Sequence, residues 1–235
     1  MRATRRLPRG AARATAQGVG ELLITAGLVL LLFVAYQLVW TNFEAQRAQD
    51  RVAGQIHDDW QRPAASGGQE GTGTARQVDL GEGIGFLRIP RLGKRYSVPV
   101  VEGVRLDDLA RGVGHYPDTV MPGRVGNFSV AGHRATNGEP FAYLDRVRAG
   151  DVIIAETRSS WFTYVVDRTR IVAPTDTWVI DPVPGKPDVT PTERLITLTT
   201  CNPRWASTER LIVFGHLESE RPKSHGPPPQ LVREA

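Results

Sequence analysis

Cysteine is almost missing from this sequence: Cys201 is the only one among 235 residues. A lone thiol cannot pair within its chain, so in an oxidising compartment it is half of an intermolecular bridge or a free reactive group. No Cys-x2-4-Cys ligand pair exists for a structural zinc site. Acidic residues are absent before Glu21, whereas Arg2, Arg5, Arg6, Arg9 and Arg13 all stand there. Those five carry the basic excess: of 29 basic and 25 acidic residues, 24 and 25 remain once they are set aside. The sequence pI of about 9.6 therefore reflects one terminus and no basic face, which argues against nucleic acid as a partner. A compact acidic cluster is lacking too, so calcium has no evident donor set, and neither a metal nor any other cofactor is expected.

Long apolar runs are limited to one. Residues 22–40 are nineteen uncharged positions rich in Leu, Val and Ile, with Thr25 and Gln37 the clearly polar members. At a rise of about 1.5 Å per residue such a helix is just long enough to cross a bilayer core. Tyr36 and Trp40 lie near one end, as interfacial anchors do, and the arginines ahead of the run keep the N-terminus cytoplasmic and everything after Trp40 outside. The competing reading is a cleaved signal peptide, whose shorter apolar core is followed by a small-x-small site. Residues 36–40, Tyr-Gln-Leu-Val-Trp, offer none.

The expected organisation is a basic cytoplasmic segment at 1–21, a transmembrane anchor at 22–40, an extracellular stalk and linker at 41–79, a folded domain at 80–217 and a disordered tail at 218–235. Residues 41–60 are rich in helix formers but sparse in apolar positions, which suggests a stalk without a core face, with His57 solvated. Residues 61–77 turn to Pro, Gly, Ser, Thr and Gln, a linker composition. From there on short extended patterns recur at 84–90, 96–101, 126–131, 151–156, 162–169, 194–200 and 211–214, separated by turn residues. Helical patterns are confined to 106–111 and 139–146. Many short strands and few helices predict a mainly β fold, a closed or nearly closed barrel. The Pro-rich connection 173–193 is long for a compact domain and is expected to form a substrate-binding wall.

Two extended runs end in residues with acid-base or nucleophilic chemistry. Residues 194–200, with Ile196, Thr197, Thr199 and Thr200 β-branched, deliver Cys201, and Asn202-Pro203 stops the run. Residues 126–131 similarly deliver Gly132-His133-Arg134. A lone Cys is more often a small buried hydrophobe than a nucleophile, and a lone His more often a satisfied structural residue. Arg210 opens the next extended run nine residues beyond Cys201, so a return between adjacent strands brings it back near the sulfur. Arg204 is its rival.

Together these residues resemble the sortase family, membrane-anchored cysteine transpeptidases of Gram-positive surfaces. The family's Thr-Leu-x-Thr-Cys strand is matched by Thr197-Leu198-Thr199-Thr200-Cys201, its upstream catalytic His by His133 and its downstream Arg by Arg210. The run Gly112-Val113-Gly114-His115-Tyr116-Pro117 and the Thr-Cys-Asn-Pro-x-Trp run ending at Trp205 look most like class E, the housekeeping type of high-GC actinobacteria, with class D similar in pattern. The resemblance implies an eight-stranded β-barrel, cleavage of a Leu-Ala-x-Thr-Gly or Leu-Pro-x-Thr-Gly sorting signal between Thr and Gly, and transfer to an amine of a lipid-linked peptidoglycan precursor. Its partners are surface proteins with C-terminal sorting signals. Tyr116, Thr200, Asn202 and Trp205 are the expected substrate-binding residues, Tyr116 reading the second residue of the signal.

The chemistry stands without the name. A cysteine thiolate attacks a peptide carbonyl to form a thioester, dividing amide exchange into two steps. His133 protonates the departing amine and deprotonates the incoming one. Arg210 offers donors to the developing oxyanion. A tethered cysteine peptidase uses the same residues with water as acceptor, and a noncatalytic barrel on a stalk is the structural alternative. Enzymes that cross-link stem peptides place Ser-His-Gly just before the Cys, whereas Ser224-His225-Gly226 follows Cys201 here. His115, His133, His216 and Cys201 suffice in number for a metal but not in spacing.

Overall fold

A computed structural model describes residues 9–62 and 79–232. The linker expected at 61–77 falls almost wholly outside the described residues. The chain divides into two compact units, Met1–Thr41 and Asn42–Ala235, and helix α1, Arg9–Gln61, contributes to both.

In the first unit the apolar side chains from Leu22 through Phe33 are exposed, and the helix is long and apolar enough to span a membrane. Tyr36 and Trp40, one turn apart, stack with ring centroids 5.6 Å apart. Such a surface is costly in water but stable in hydrocarbon, where a helix satisfies its own backbone groups.

In the second unit eight strands follow in the order β1 (Gly83–Arg88), β2 (Val98–Glu102), β3 (Val113–His115), β4 (Gly126–Ala131), β5 (Val152–Glu156), β6 (Ser160–Val172), β7 (Arg194–Asn202) and β8 (Glu209–Pro222). They close into a barrel with the spatial order β1-β2-β3-β4-β7-β8-β6-β5. β2–β3 and β4–β7 pair in parallel and the other neighbours antiparallel. This is the mainly β, closed eight-stranded architecture expected from the sequence.

Pleat alternation sorts the side chains. Phe128 and Val130 of β4, Ile196 and Leu198 of β7, and Leu211 and Val213 of β8 enter one core with Phe141, Leu144 and Tyr164. Each such burial contributes roughly 1.5–3 kcal/mol before entropy is counted. The intervening residues of β4, β7 and β8 therefore face outward. Ile212 and Phe214 on that outer face pack against Val172, Val179 and Trp178, so part of the connection 173–193 is folded against the sheet, with a 3-10 turn at Thr177–Ile180.

Three features depart from the sequence expectation. Residues 42–61 are not a free stalk: Ala45, Val52 and Ile56 are buried, and Val52 and Ile56 cluster with Phe86 and Val101 of the barrel. That stripe of small and β-branched residues is too thin to register as an apolar face. His57 is exposed, as expected, and its ring stacks on Phe86 at 4.9 Å. The segment expected as a tail is folded as far as Val232: β8 runs to Pro222, paired with Ser160, and Lys223 places its ammonium 3.9 Å from the Trp161 ring centroid. Backbone pairing and cation–π contact are invisible in a Pro- and charge-rich composition. Finally, the helix expected at 139–146 is a turn followed by a 3-10 element, Leu144–Arg146.

Candidate active site

β7 is the element that fixes the site. Its inward residues Ile196 and Leu198 anchor it in the core. Its outward side chains are tied to neighbours: Thr197 Oγ1 donates to Asn127 Oδ1 (2.9 Å), and Thr199 Oγ1 lies 3.0 Å from Tyr116 Oη. Cys201 is the next outward position, half-buried, with no disulfide. Thr200 points inward, is buried, and donates its hydroxyl to Gly132 O at 2.7 Å. Its hydroxyl is thus engaged with the β4 exit and does not line the outer face. The cause is the two-residue period of the strand: if Cys201 faces outward, Thr200 cannot.

β4 delivers His133 by parallel pairing with β7. Ala131 stands opposite Thr199, and Gly132 N donates to Thr199 O at 3.1 Å, so the register carries His133 alongside Cys201 just past the strand's end. A side chain at Gly132 would meet the Phe141 ring at 2.6 Å, which explains glycine before the histidine. Burial pushes the His133 imidazole below its ordinary pKa, because the charged form loses solvation. Asn137 Nδ2 lies 3.2 Å from His133 Nε2.

Arg210 is the direct cross-strand partner of Cys201 in the β7–β8 ladder. Opposed residues of an antiparallel pair project to the same face with Cβ atoms about 4.5–5.5 Å apart. Arg210 Nη1 donates to the carbonyls of Ser207 (3.1 Å) and Glu209 (2.8 Å), and it makes no ion pair with a described carboxylate. Arg204 is engaged elsewhere: it pairs with Glu139, and its guanidinium lies 5.4 Å from the Tyr143 and 5.0 Å from the Trp205 ring centroid. Asn202 receives Arg134 Nη1 at 2.6 Å and donates to Glu209 Oε2 at 2.8 Å. Trp205 is exposed in the β7–β8 turn.

Arg134 is a site neighbour that sequence reasoning passed over. It is buried, donates through Nη1 to Cys201 O (3.2 Å) as well as to Asn202, and pairs through Nη2 with Asp145 Oδ1 at 3.1 Å. Its position immediately after His133 was the available signal. His115 is withdrawn into the fold, its Nδ1 2.7 Å from Glu102 Oε2 and its Nε2 3.0 Å from Thr119 Oγ1. His216 stands opposite Leu195, at the far end of β7 from Cys201. Of the four residues considered as metal ligands, only His133 and Cys201 are brought together.

A closed eight-stranded barrel that sets Arg210 opposite Cys201 and leads β4, whose next residues include His133, alongside the same strand has the architecture of a cysteine transpeptidase. The chain belongs to the sortase family, its residues 87–218 matching the Sortase domain. It is 40% identical to sortase SrtE1 of Streptomyces coelicolor over 231 residues, 95% of this chain and 63% of SrtE1. Sortase SrtE2 of the same organism is 38% identical, with 97% of this chain and 92% of SrtE2 covered. The structure of sortase E from Streptomyces avermitilis superposes with a TM-score of 0.60 at 42% identity, covering 66% of this chain and 99% of that one. The relationship is therefore to the actinobacterial class E branch, and the N-terminal helix is a single membrane span with the barrel on the extracellular side.

Proposed function

We propose that this protein cleaves a sorting signal of the Leu-Ala-x-Thr-Gly or Leu-Pro-x-Thr-Gly type between Thr and Gly, and transfers the fragment ending in the Thr acyl group to an amine of a cell-wall precursor. Cys201 Sγ attacks the Thr carbonyl, His133 protonates the departing Gly amine, and a thioester remains on the sulfur. The incoming amine gives a proton to His133 as it displaces the thiolate, restoring both residues. Arg210 donates to the oxyanion or to neighbouring substrate carbonyls. Tyr116, whose hydroxyl is joined to Thr199 two residues before the nucleophile, contacts the signal's second residue, and Asn202 and Trp205 border the same face. The surface proteins that carry such signals and the lipid-linked precursor are the partners, and the membrane span keeps the enzyme beside both.

The observation that carries this reading is the pairing of Cys201 with Arg210 in one ladder, with His133 brought up on the other side of β7. The test is incubation of the detergent-solubilised chain with both peptides, with and without glycine or diaminopimelate-type amines, products read by mass. An amine-dependent ligation product that disappears in Cys201→Ala is the expected result. Hydrolysis alone at every amine concentration overturns transpeptidation, and turnover by Cys201→Ala removes the thioester.

A further inference from the structure

The turn that follows His133 is gripped from two sides. Below it, Tyr96 donates its hydroxyl to Pro140 O at 2.6 Å. Above it lies the membrane-proximal part of α1. Asn42 donates to Glu139 Oε1 at 3.2 Å and accepts from Gly138 N at 3.2 Å, and Gln49 Nε2 donates to Asn137 O at 3.4 Å. The approach is close enough that a side chain at Gly138 would meet Gln49 at 2.4 Å and Ala45 at 3.5 Å. Asn137, Gly138 and Glu139 all have positive φ, at 53°, 76° and 48°, a backbone path that turns the Asn137 amide back onto the imidazole. A cavity of about 440 Å³, walled by Asn42, Gln46, Tyr96 and Glu139, lies beside this contact and not over Cys201.

We infer that Asn137 is a positioning residue for His133 and that α1, through Asn42 and Gln49, holds Asn137 in place, so that the membrane-anchoring helix is mechanically part of the active site. The inference rests on the acid-base role proposed for His133. An amide suits the task chemically. Since Asn137 occupies Nε2, the proton exchanged with the substrate amine moves at Nδ1, and Nε2 keeps its hydrogen throughout. With its side-chain oxygen turned to Nε2–H, the amide accepts from the ring in both protonation states through which the reaction passes and so holds its orientation. A carboxylate there offers an acceptor only and would favour the charged imidazole, against the burial that disfavours it. The same turn carries Glu139, which pairs with Arg204, so α1 also braces the turn between β7 and β8.

The experiment is a mutant cycle on the full chain in detergent, reading single-turnover acylation by the peptide that the parent enzyme ligates, its KM, and thermal melting. Asn137→Gly removes the amide while tolerating the positive φ that Asn137→Ala would strain. Asn42→Ala/Gln49→Ala removes the hold of α1. Asn137→Gly is expected to slow acylation about ten- to a hundredfold with KM little changed, the scale of a misplaced catalytic group. Asn42→Ala/Gln49→Ala slows it in the same sense, and the triple variant is no slower than Asn137→Gly alone, because both changes act through one contact. Full additivity, or parent-like acylation in Asn42→Ala/Gln49→Ala, overturns the role of α1. Parent-like acylation in Asn137→Gly overturns the positioning role itself. Cys201→Ala and His133→Ala separate this from failure of the proposed function. With both inactive and Asn137→Gly unimpaired, only the present inference falls; if either acylates, the proposed function falls and this inference with it.

Discussion

Cys201 and Arg210 are opposed residues of the β7–β8 ladder, and this register separates the two arginines that the sequence left in competition. Arg210 sits on a strand whose neighbours Leu211 and Val213 are locked in the core, and its guanidinium donates to the carbonyls of Ser207 and Glu209. Arg204 is held by Glu139 and two aromatic rings. A preorganised donor stabilises developing charge without reorganising when that charge appears. Arg210→Ala is therefore expected to lower single-turnover acylation by about two to three orders of magnitude, with Arg210→Lys recovering part of it, because charge returns without the planar fork. Arg204→Ala should cost about tenfold or less, a milder effect through its pairing with the Glu139 turn. The reverse ranking, with both variants melting like the parent, would reject the role given to Arg210.

Tyr116 and Thr199 join β3's exit to β7 beside Cys201. Tyr116→Phe removes one partly buried hydrogen bond, worth about 0.5–1.5 kcal/mol. If Tyr116 reads the second residue of the signal, the same change alters discrimination between the Leu-Ala and Leu-Pro peptides by several-fold, as the ratio of kcat/KM reports. An unchanged ratio assigns Tyr116 to holding the strands together and nothing more.

Burial lowers the His133 pKa from its ordinary value near 6.5, so the unfolded chain takes up this proton before the folded one does. Stability from this residue is then level above about pH 6.5, declines as pH falls toward the depressed folded value, and levels again below it. In denaturant melts across this range, His133→Asn should show a shallower acid decline than the parent. Parallel curves for the two proteins would mean that burial does not act on this imidazole as argued.

Ile56 is 3% exposed and packs within the cluster of Phe86 and Val101, so residues 42–61 belong to the cooperative fold of the barrel. Ile56→Ala should cost about 2–4 kcal/mol and lower the melting temperature of the barrel by roughly 5–10 °C. A melt indistinguishable from the parent's would return this segment to the status of a stalk.

Much of the site was legible because its parts are encoded locally. The β-branched run before Cys201 and the extended run before His133 specify strands by their own side-chain shapes, and each ends in a residue that breaks the ladder. Partnership was not legible in the same way. Thr200 stands beside Cys201 in sequence and across the sheet from it in space, since adjacent strand residues face opposite sides. Asn137 and Glu139 read as turn residues until Asn42 and Gln49 meet them from about a hundred positions upstream.

By itself the sequence determined the membrane span and the β-rich body, and it singled out Cys201 and His133 as candidates, because hydrophobic length, strand propensity and side-chain chemistry are properties of short stretches. Only the tertiary structure decided that Arg134 is buried against the Cys201 carbonyl and that the anchor helix reaches the turn behind His133. Those are contacts between distant segments, fixed by barrel closure and strand register, and no local pattern contains them.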